Sequence, residues 1–301
     1  MDAAGDQQLT GTPPPLKVGW WKRIRRAVVL YLLVPYLAVV IIFVVLQRKL
    51  IYRPTVANDL RVTTVGLDAE AVRDVQIQTP DGEKLNGWLM QQAGDDGAVQ
   101  RPLVVYFPGN SLNRYERIND LREVVRCGFD VLIFDYRGYG DSSGSPSEQH
   151  LASDAMRVWN YACGDLGYEP GRIVIFGESL GGAVALSLWT SENANPPQPG
   201  ALILNATFVS MPRTVAGLYP LFPFQYLLLD RWPSIERITR VTAPVVVFHG
   251  TEDDMVPVAH GRELAEAAAD GQFIKIPGAG HNEIPLLRLC AELECLELLD
   301  K

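Results

Sequence analysis

A chain of 301 residues, 48% hydrophobic and 21% charged, has room for one large α/β domain or two small ones, with apolar material beyond an ordinary core. A net charge of −8 and a pI near 5.1 leave no broad basic face to neutralise phosphates, which excludes nucleic acid as a partner. The four cysteines, Cys127, Cys163, Cys290 and Cys295, show neither metal-ligand nor C-x-x-C spacing, which sets aside a zinc or thioredoxin-type site.

Residues 1–26 read as a disordered basic tail, with Thr12-Pro13-Pro14-Pro15 in its middle. The run Ala27–Leu46 follows without a single charge. Its 20 residues at ~1.5 Å each give roughly 30 Å, the thickness of a bilayer's hydrocarbon core. Pro35 interrupts the run as a kink that a membrane helix tolerates, and Trp20 and Trp21 stand where interfacial aromatics sit. A cleaved signal peptide would be shorter and end in small residues, where this chain has Gln47-Arg48-Lys49. A soluble core helix of this length would show a polar face. The expectation for 27–46 is one uncleaved signal anchor. Lys17, Lys22, Arg23, Arg25 and Arg26 precede it, against Arg48, Lys49, Arg53 and Arg61 after it. The denser cluster before the span leans towards a cytoplasmic amino terminus and a catalytic domain on the non-cytoplasmic side.

Residues 47–301 form the expected catalytic domain. Val75–Thr79 and Leu85–Met90 alternate in polarity around Pro80-Asp81-Gly82-Glu83 and predict a hairpin. Continuous apolar runs then predict buried strands at Leu103–Phe107, Val131–Phe134, Ile173–Phe176, Ala201–Leu204, Val245–Phe248 and Phe273–Ile276. Helices are expected between them, near 114–127, 146–163, 180–191, 258–269 and 283–299. Ser145-Pro146-Ser147-Glu148 opens the second as a capping box with proline at the first helical position. Cys127 and Cys163 fall near two helix ends, where a bridge between them stays open. Cys290 and Cys295 point to different faces of the last helix and should not pair. The segment from about 207 to 240, rich in Pro, Leu, Phe and Tyr, is too apolar for a solvated loop and reads as a small lid. The fold class is a doubly wound, mostly parallel α/β sheet with a short apolar lid, preceded by one transmembrane helix.

The chemistry concentrates at Gly177-Glu178-Ser179-Leu180-Gly181, set between a predicted strand and a predicted helix. A G-x-S-x-G there is a nucleophile elbow, a turn so sharp that the serine backbone is strained and its hydroxyl is lifted above the sheet. The bland alternative is a glycine-rich turn whose serine caps the helix. A serine needs a base, and the base an orienting carboxylate, in the chain order Ser, Asp or Glu, His. Of four histidines, His150 precedes the serine, His249 ends a strand and reads as buried structure, and His260 starts a helix. His281 follows Pro277-Gly278-Ala279-Gly280 after the last strand, where an imidazole reaches back over the sheet. For the acid, Glu252, Asp253 and Asp254 compete in one loop, and spacing alone does not separate them.

Taken together these segments resemble a serine hydrolase of the α/β-hydrolase superfamily, and within it the membrane-anchored Bem46 and ABHD13/ABHD17-type group. The resemblance is carried by the elbow, by Gln47–Pro54, by Asp135-Tyr136-Arg137-Gly138-Tyr139-Gly140, by His249–Pro257 and by Pro277–Asn282. It spans about 47 to 290. The group's loop H-G-x-x-D-x-x-V-P implies Asp253 as the acid, with Asp254 second. Oxyanion donors are expected from the backbone of Leu180 and of Asn110 or Ser111. Where the group usually has His-Gly-Asn, this chain has Pro108-Gly109-Asn110, which removes a side chain but no backbone donor. Asp135 and Arg137 read as a structural turn held by charge-assisted hydrogen bonds.

The implied activity is hydrolysis of a carboxylic ester or thioester of a small-molecule or lipid-like acyl substrate, by Ser179, His281 and Asp253 through an acyl-enzyme. Neither a metal nor an organic cofactor is implied. Two rivals are carried alongside: an S33-like serine peptidase or amidase, and a catalytically silent membrane interaction protein on a hydrolase scaffold.

Overall fold

The computed structural model describes residues 18–92, 101–190 and 198–283. The expected tail before residue 18 and the expected helix 283–299, with Cys290 and Cys295, fall largely or wholly outside them. The chain divides into two compact units, Met1–Val45 and Leu46–Lys301.

At the start of the described residues the helix Val18–Val28 passes through a π-helical turn, Val29–Leu33, into the helix Val34–Ile51. The wide turn has a local cause. Pro35 has no N–H for the carbonyl four residues back and its ring crowds that carbonyl. Just before it, Val34 donates five residues back, to the Val29 carbonyl. Gly19–Ile51 is long and apolar enough to cross a membrane by length and composition, and its most apolar stretch is almost entirely exposed.

Among the described residues of the second unit ten strands run β1 (Arg53–Pro54), β2 (Val72–Gln78), β3 (Lys84–Met90), β4 (Leu103–Phe107), β5 (Ser111–Leu112), β6 (Asp130–Phe134), β7 (Ile173–Glu178), β8 (Ala201–Asn205), β9 (Val245–Gly250) and β10 (Gly271–Ile276). Eight of them form one sheet in the order β10-β9-β8-β7-β4-β6-β3-β2, while β1 pairs with β5 in a separate parallel ribbon. The β2–β3 hairpin and its seam with β6 are antiparallel, and the other pairs are parallel. Every residue of β4, β6, β8 and β9 is buried, as expected of strands covered on both faces by helices. β10 departs from that pattern. As the edge strand it leaves Gly271, Gln272 and Lys275 exposed, with Phe273 and Ile274 half-buried.

Several boundaries differ from the sequence-based expectation for physical reasons. The helix after β6 spans Glu148–Asn160, and its N-cap is Ser147, whose hydroxyl accepts the His150 N–H at 3.2 Å. Ser145 is displaced from that role, and its carbonyl meets His150 Nδ1 instead. Glu148 is then free of the capping box and accepts from Arg237 and from the backbone N–H groups of Arg231 and Trp232. The helix after β7 shortens to Leu180–Leu186 and ends in a 3-10 turn, Ser187–Trp189. Between β8 and β9 the segment expected as a small lid holds three short helices, Met211–Leu218, Phe224–Leu227 and Ser234–Ile238. Cys163 is a free thiol, so no bridge joins it to Cys127; burial pushes its pKa up to about 11.

Candidate active site

The parallel strands β7, β8 and β9 end side by side, and their carboxyl ends bring the chemistry together. β7 stops at Glu178, Ser179 turns the chain with φ 51° and ψ −112°, and the helix begins at Leu180. A non-glycine residue at positive φ is strained, and here the surroundings hold it. Ser179 N–H is bound by the Asn205 carbonyl at the end of β8 at 2.7 Å. The flanking glycines are required by contact. A Cβ on Gly177 would stand 2.5 Å from Gly182 Cα, one on Gly181 1.9 Å from the Phe107 carbonyl oxygen, and one on Gly182 2.0 Å from Thr207 Oγ1. The elbow is thus wedged between the ends of β4 and β8, and only bare backbone fits.

His281 sits on the loop after β10. Its Nε2 lies 2.9 Å from Ser179 Oγ and its Nδ1 2.7 Å from Asp253 Oδ2. A carboxylate only accepts, so the Nδ1 proton belongs to the imidazole and the Nε2 lone pair faces the serine hydroxyl. Asp253 is held from four sides. Its Oδ1 accepts the N–H groups of Met255 at 3.0 Å and Val256 at 2.7 Å, and its Oδ2 accepts from His281 and from His249 Nε2 at 3.1 Å. Burial favours the neutral acid, but the bonds from His249, His281 and the Val256 N–H outweigh it and hold the carboxyl well below the usual range. Glu252 and Asp254, the competing acids, are exposed.

The sequence placed His249 in the core, and it is buried there, but its contact with Asp253 was not anticipated. Its Nε2 also lies 2.8 Å from the Val256 carbonyl. Two acceptors at one nitrogen require a proton on it, so His249 is a donor to Asp253. The only sequence sign of this pairing is the four-residue spacing of His249 and Asp253 across a strand end.

The loop Pro108-Gly109-Asn110-Ser111 stands next to the elbow, since Gly181 packs against the carbonyls of both Phe107 and Pro108. Asn110 is pinned on its far side: its carbonyl accepts from the Arg53 N–H at 2.9 Å and the Tyr139 hydroxyl at 2.8 Å. Its side-chain amide donates to the Ile51 carbonyl at 2.9 Å. Because C=O and N–H of one peptide point opposite ways, the Ser111 N–H is turned away from Arg53 and Tyr139. Leu180 N–H is among the first amides of its helix and has no acceptor within that helix. Below the loop, Arg117 forms an ion pair with Glu178, and Tyr106 donates to Glu178 Oε2 at 2.6 Å. This pair braces the residue before Ser179 and was not foreseen.

Asp135 and Arg137 do form charge-assisted bonds, but not as one turn. Asp135 pairs with Arg114, whereas Arg137 binds Asp154 at 2.7 Å and also pairs with Asp81. Among the described residues no group of three His, Cys, Asp or Glu side chains could hold a metal ion.

The family model described as serine aminopeptidase, S33, matches residues 100–235. An uncharacterized protein of Mycobacterium tuberculosis is 41% identical over 243 residues, covering 80% of this chain and 82% of that one. The α/β-hydrolase domain-containing protein WAV2 of Arabidopsis thaliana is 30% identical over 265 residues, covering 80% and 83%. The α/β-hydrolase domain-containing protein 17C of Mus musculus is 34% identical over 164 residues, which is 54% of this chain and 48% of that one. Among solved structures, an esterase of Pyrococcus furiosus aligns with a TM-score of 0.60 at 19% identity, over 83% of this chain and 97% of that one. With the mixed sheet, the strained elbow and these relatives together, the chain belongs to the α/β-hydrolase superfamily.

Proposed function

We propose that the chain is a membrane-anchored serine hydrolase acting on carboxylic esters or thioesters. The observation that carries this reading is the continuous chain of hydrogen bonds from Ser179 Oγ through His281 to a buried, ionised Asp253. His281 Nε2 takes the serine proton as Oγ attacks the acyl carbon, and Asp253 steadies the imidazolium. The developing alkoxide is met by the Leu180 N–H and one from Asn110 or Ser111. The intermediate collapses with the C–O or C–S bond breaking, and His281 returns the proton to the leaving group. Water, deprotonated by the same imidazole, then releases the acid and regenerates Ser179.

In this reading the run 27–46 serves as the anchor, and the denser basic cluster before it supports a domain on the non-cytoplasmic side. The apolar surface of 218–229 favours an acyl substrate of lipid-like character. Amide hydrolysis is the second reading, favoured by the description of the matching family model. Labelling of the membrane fraction with a fluorophosphonate tests the assignment. Wild type should label and Ser179→Ala should not; persistent labelling of the variant sinks the nucleophile, and a blank wild type favours a silent scaffold. Matched ester, thioester and amide substrates of one acyl group then rank the reactions by kcat/KM.

A further inference from the structure

Between β8 and β9 the chain sends its apolar side chains in two directions. Phe224 and Leu228 turn inward and are buried, whereas Leu221, Tyr226 and Leu229 are 83%, 78% and 65% exposed. Leu218, Tyr219 and Leu227 extend the exposed face. So many large apolar groups within twelve residues form a patch of the kind that marks an interaction surface.

The same stretch is bonded to the first residues after the uncharged run. Gln47 Nε2 donates to the Leu227 carbonyl at 3.3 Å, and Gln47 Oε1 accepts the Leu229 N–H at 2.7 Å. One residue on, Asp230 takes the Arg48 guanidinium at 3.1 Å and the Tyr52 hydroxyl at 3.0 Å. Gln47 is the neighbour of Leu46, where the run 27–46 ends.

We infer that the exposed face of residues 218–229 docks on the lipid surface of the membrane that 27–46 spans. The position follows from the tether. At ~1.5 Å of rise per residue, Gln47 stays within about 2 Å of the level at which the uncharged run leaves the hydrocarbon. Its two hydrogen bonds carry Leu227 and Leu229 to that same level. Tyr219 and Tyr226 have the amphipathic rings that settle among headgroups, and the exposed cations Lys49 and Arg53 suit anionic lipid. A soluble partner or a second copy would need no bond between this face and residue 47. The docked face implies that the acyl group reaches the enzyme from the bilayer. The inference rests on the proposed reading of 27–46 as a span.

The test is photocrosslinking of the full-length chain in vesicles of phosphatidylcholine and phosphatidylglycerol that carry a clickable lipid. A benzophenone amino acid replaces Leu221, Val39 within the run, or Asp165, which is exposed before the amino end of β7 and so at the other end of the sheet from the elbow. Lipid adducts at Leu221 and Val39, with none at Asp165, are expected. Adducts at Val39 without any at Leu221, or a Leu221 crosslink to a second copy of the chain, overturn the inference while leaving the span intact. Absence of adducts at Val39 overturns the span, and the inference with it. None of these readouts depends on catalysis, so failure of the hydrolase assignment is scored separately by the fluorophosphonate.

Discussion

Asp253 is bonded by two imidazoles, and the second of them, His249, never meets solvent. His249 Nε2 shares its proton between Asp253 and the Val256 carbonyl, while its Nδ1 has no partner among the described residues and packs where a Cβ on Gly261 would stand 2.5 Å away. This puts a proton on Nε2 and makes His249 a positioning residue for Asp253, the carboxylate bonded to His281. Replacing it with Phe removes one hydrogen bond to a charged group, a loss of about 1.5–3 kcal/mol. We expect kcat to fall about tenfold or more with KM little changed, and His249→Gln, which retains a donor, to recover part of it. Equal kcat in wild type and His249→Phe would assign His249 to packing alone.

Asp253 and Asp254 are neighbours in sequence with opposite surroundings. Asp253→Asn should lower kcat by roughly 10⁴-fold, because the amide no longer holds His281 in the tautomer whose lone pair faces Ser179. Asp254→Asn, at an exposed position, should stay within about twofold of wild type. Steady-state kinetics on one activated ester decide between them.

Gly181 and Gly171 offer a matched test of close packing. A methyl on Gly181 would collide with the carbonyl oxygens of Phe107 and Pro108, both backbone atoms that cannot swing aside; Gly171 has nothing within 4 Å. Gly181→Ala should destabilise by about 2 kcal/mol or more, seen as a Tm drop of several degrees, and Gly171→Ala should change stability by about 0.5 kcal/mol at most. Thermal unfolding of both variants in detergent measures the difference, and a Gly181→Ala as stable as wild type would contradict the wedged elbow.

Ser179 carries backbone strain at the turn between β7 and the helix that follows. Glycine adopts φ 51° without penalty, so Ser179→Gly should be more stable than Ser179→Ala. Strain of about 1–3 kcal/mol is offset by the extra unfolded-state freedom of glycine, about 0.5–1 kcal/mol, leaving a net gain near 1 kcal/mol. Both variants should be inactive. Denaturant midpoints that favour the alanine would show that the turn is relaxed.

His260 is buried, and burial, aided by Arg213, lowers its pKa to about 4. Its folded value lies below its unfolded value of 6.5, so between those limits the unfolded chain binds more protons. Stability therefore falls as pH drops from about 6.5 towards 4, and the penalty is absent above that window. Relative to wild type, His260→Gln should lose less Tm on going from pH 7 to pH 4.5. Parallel Tm curves for the two proteins would remove His260 as a cause of acid sensitivity.

Much of the fold was legible because it is written in short-range patterns. Runs such as Leu103–Phe107 and Val245–Phe248 are apolar at successive positions, which only a strand covered on both faces can bury. The elbow was legible because glycines flank Ser179 between a strand and a helix. The scarcity of histidines singled out His281, which the structure brings to Ser179. What stayed hidden depends on partners distant in sequence. Nothing near Asp135 names Arg114, 21 residues away, as its counterion, and nothing near Glu178 names Arg117, 61 residues away. The bond from His249 to Asp253 was missed for another reason: a buried histidine satisfies the core whether or not it also touches the acid. The N-cap moved from Ser145 to Ser147 because Glu148 is claimed by Arg231, Trp232 and Arg237, none of which lies nearby in the chain.

The bonds from Gln47, Arg48 and Tyr52 to residues 227–230 also dictate a timetable. They close loops of about 180 residues, so the segment that follows the uncharged run cannot take its place until the chain has been extended past Asp230. At roughly 5–20 residues per second, some ten to forty seconds separate synthesis of Tyr52 from that of its partner. Throughout that interval residues 47–52 wait without their partners, so contacts of nearly the first residues of the second unit form only after most of that unit has been made.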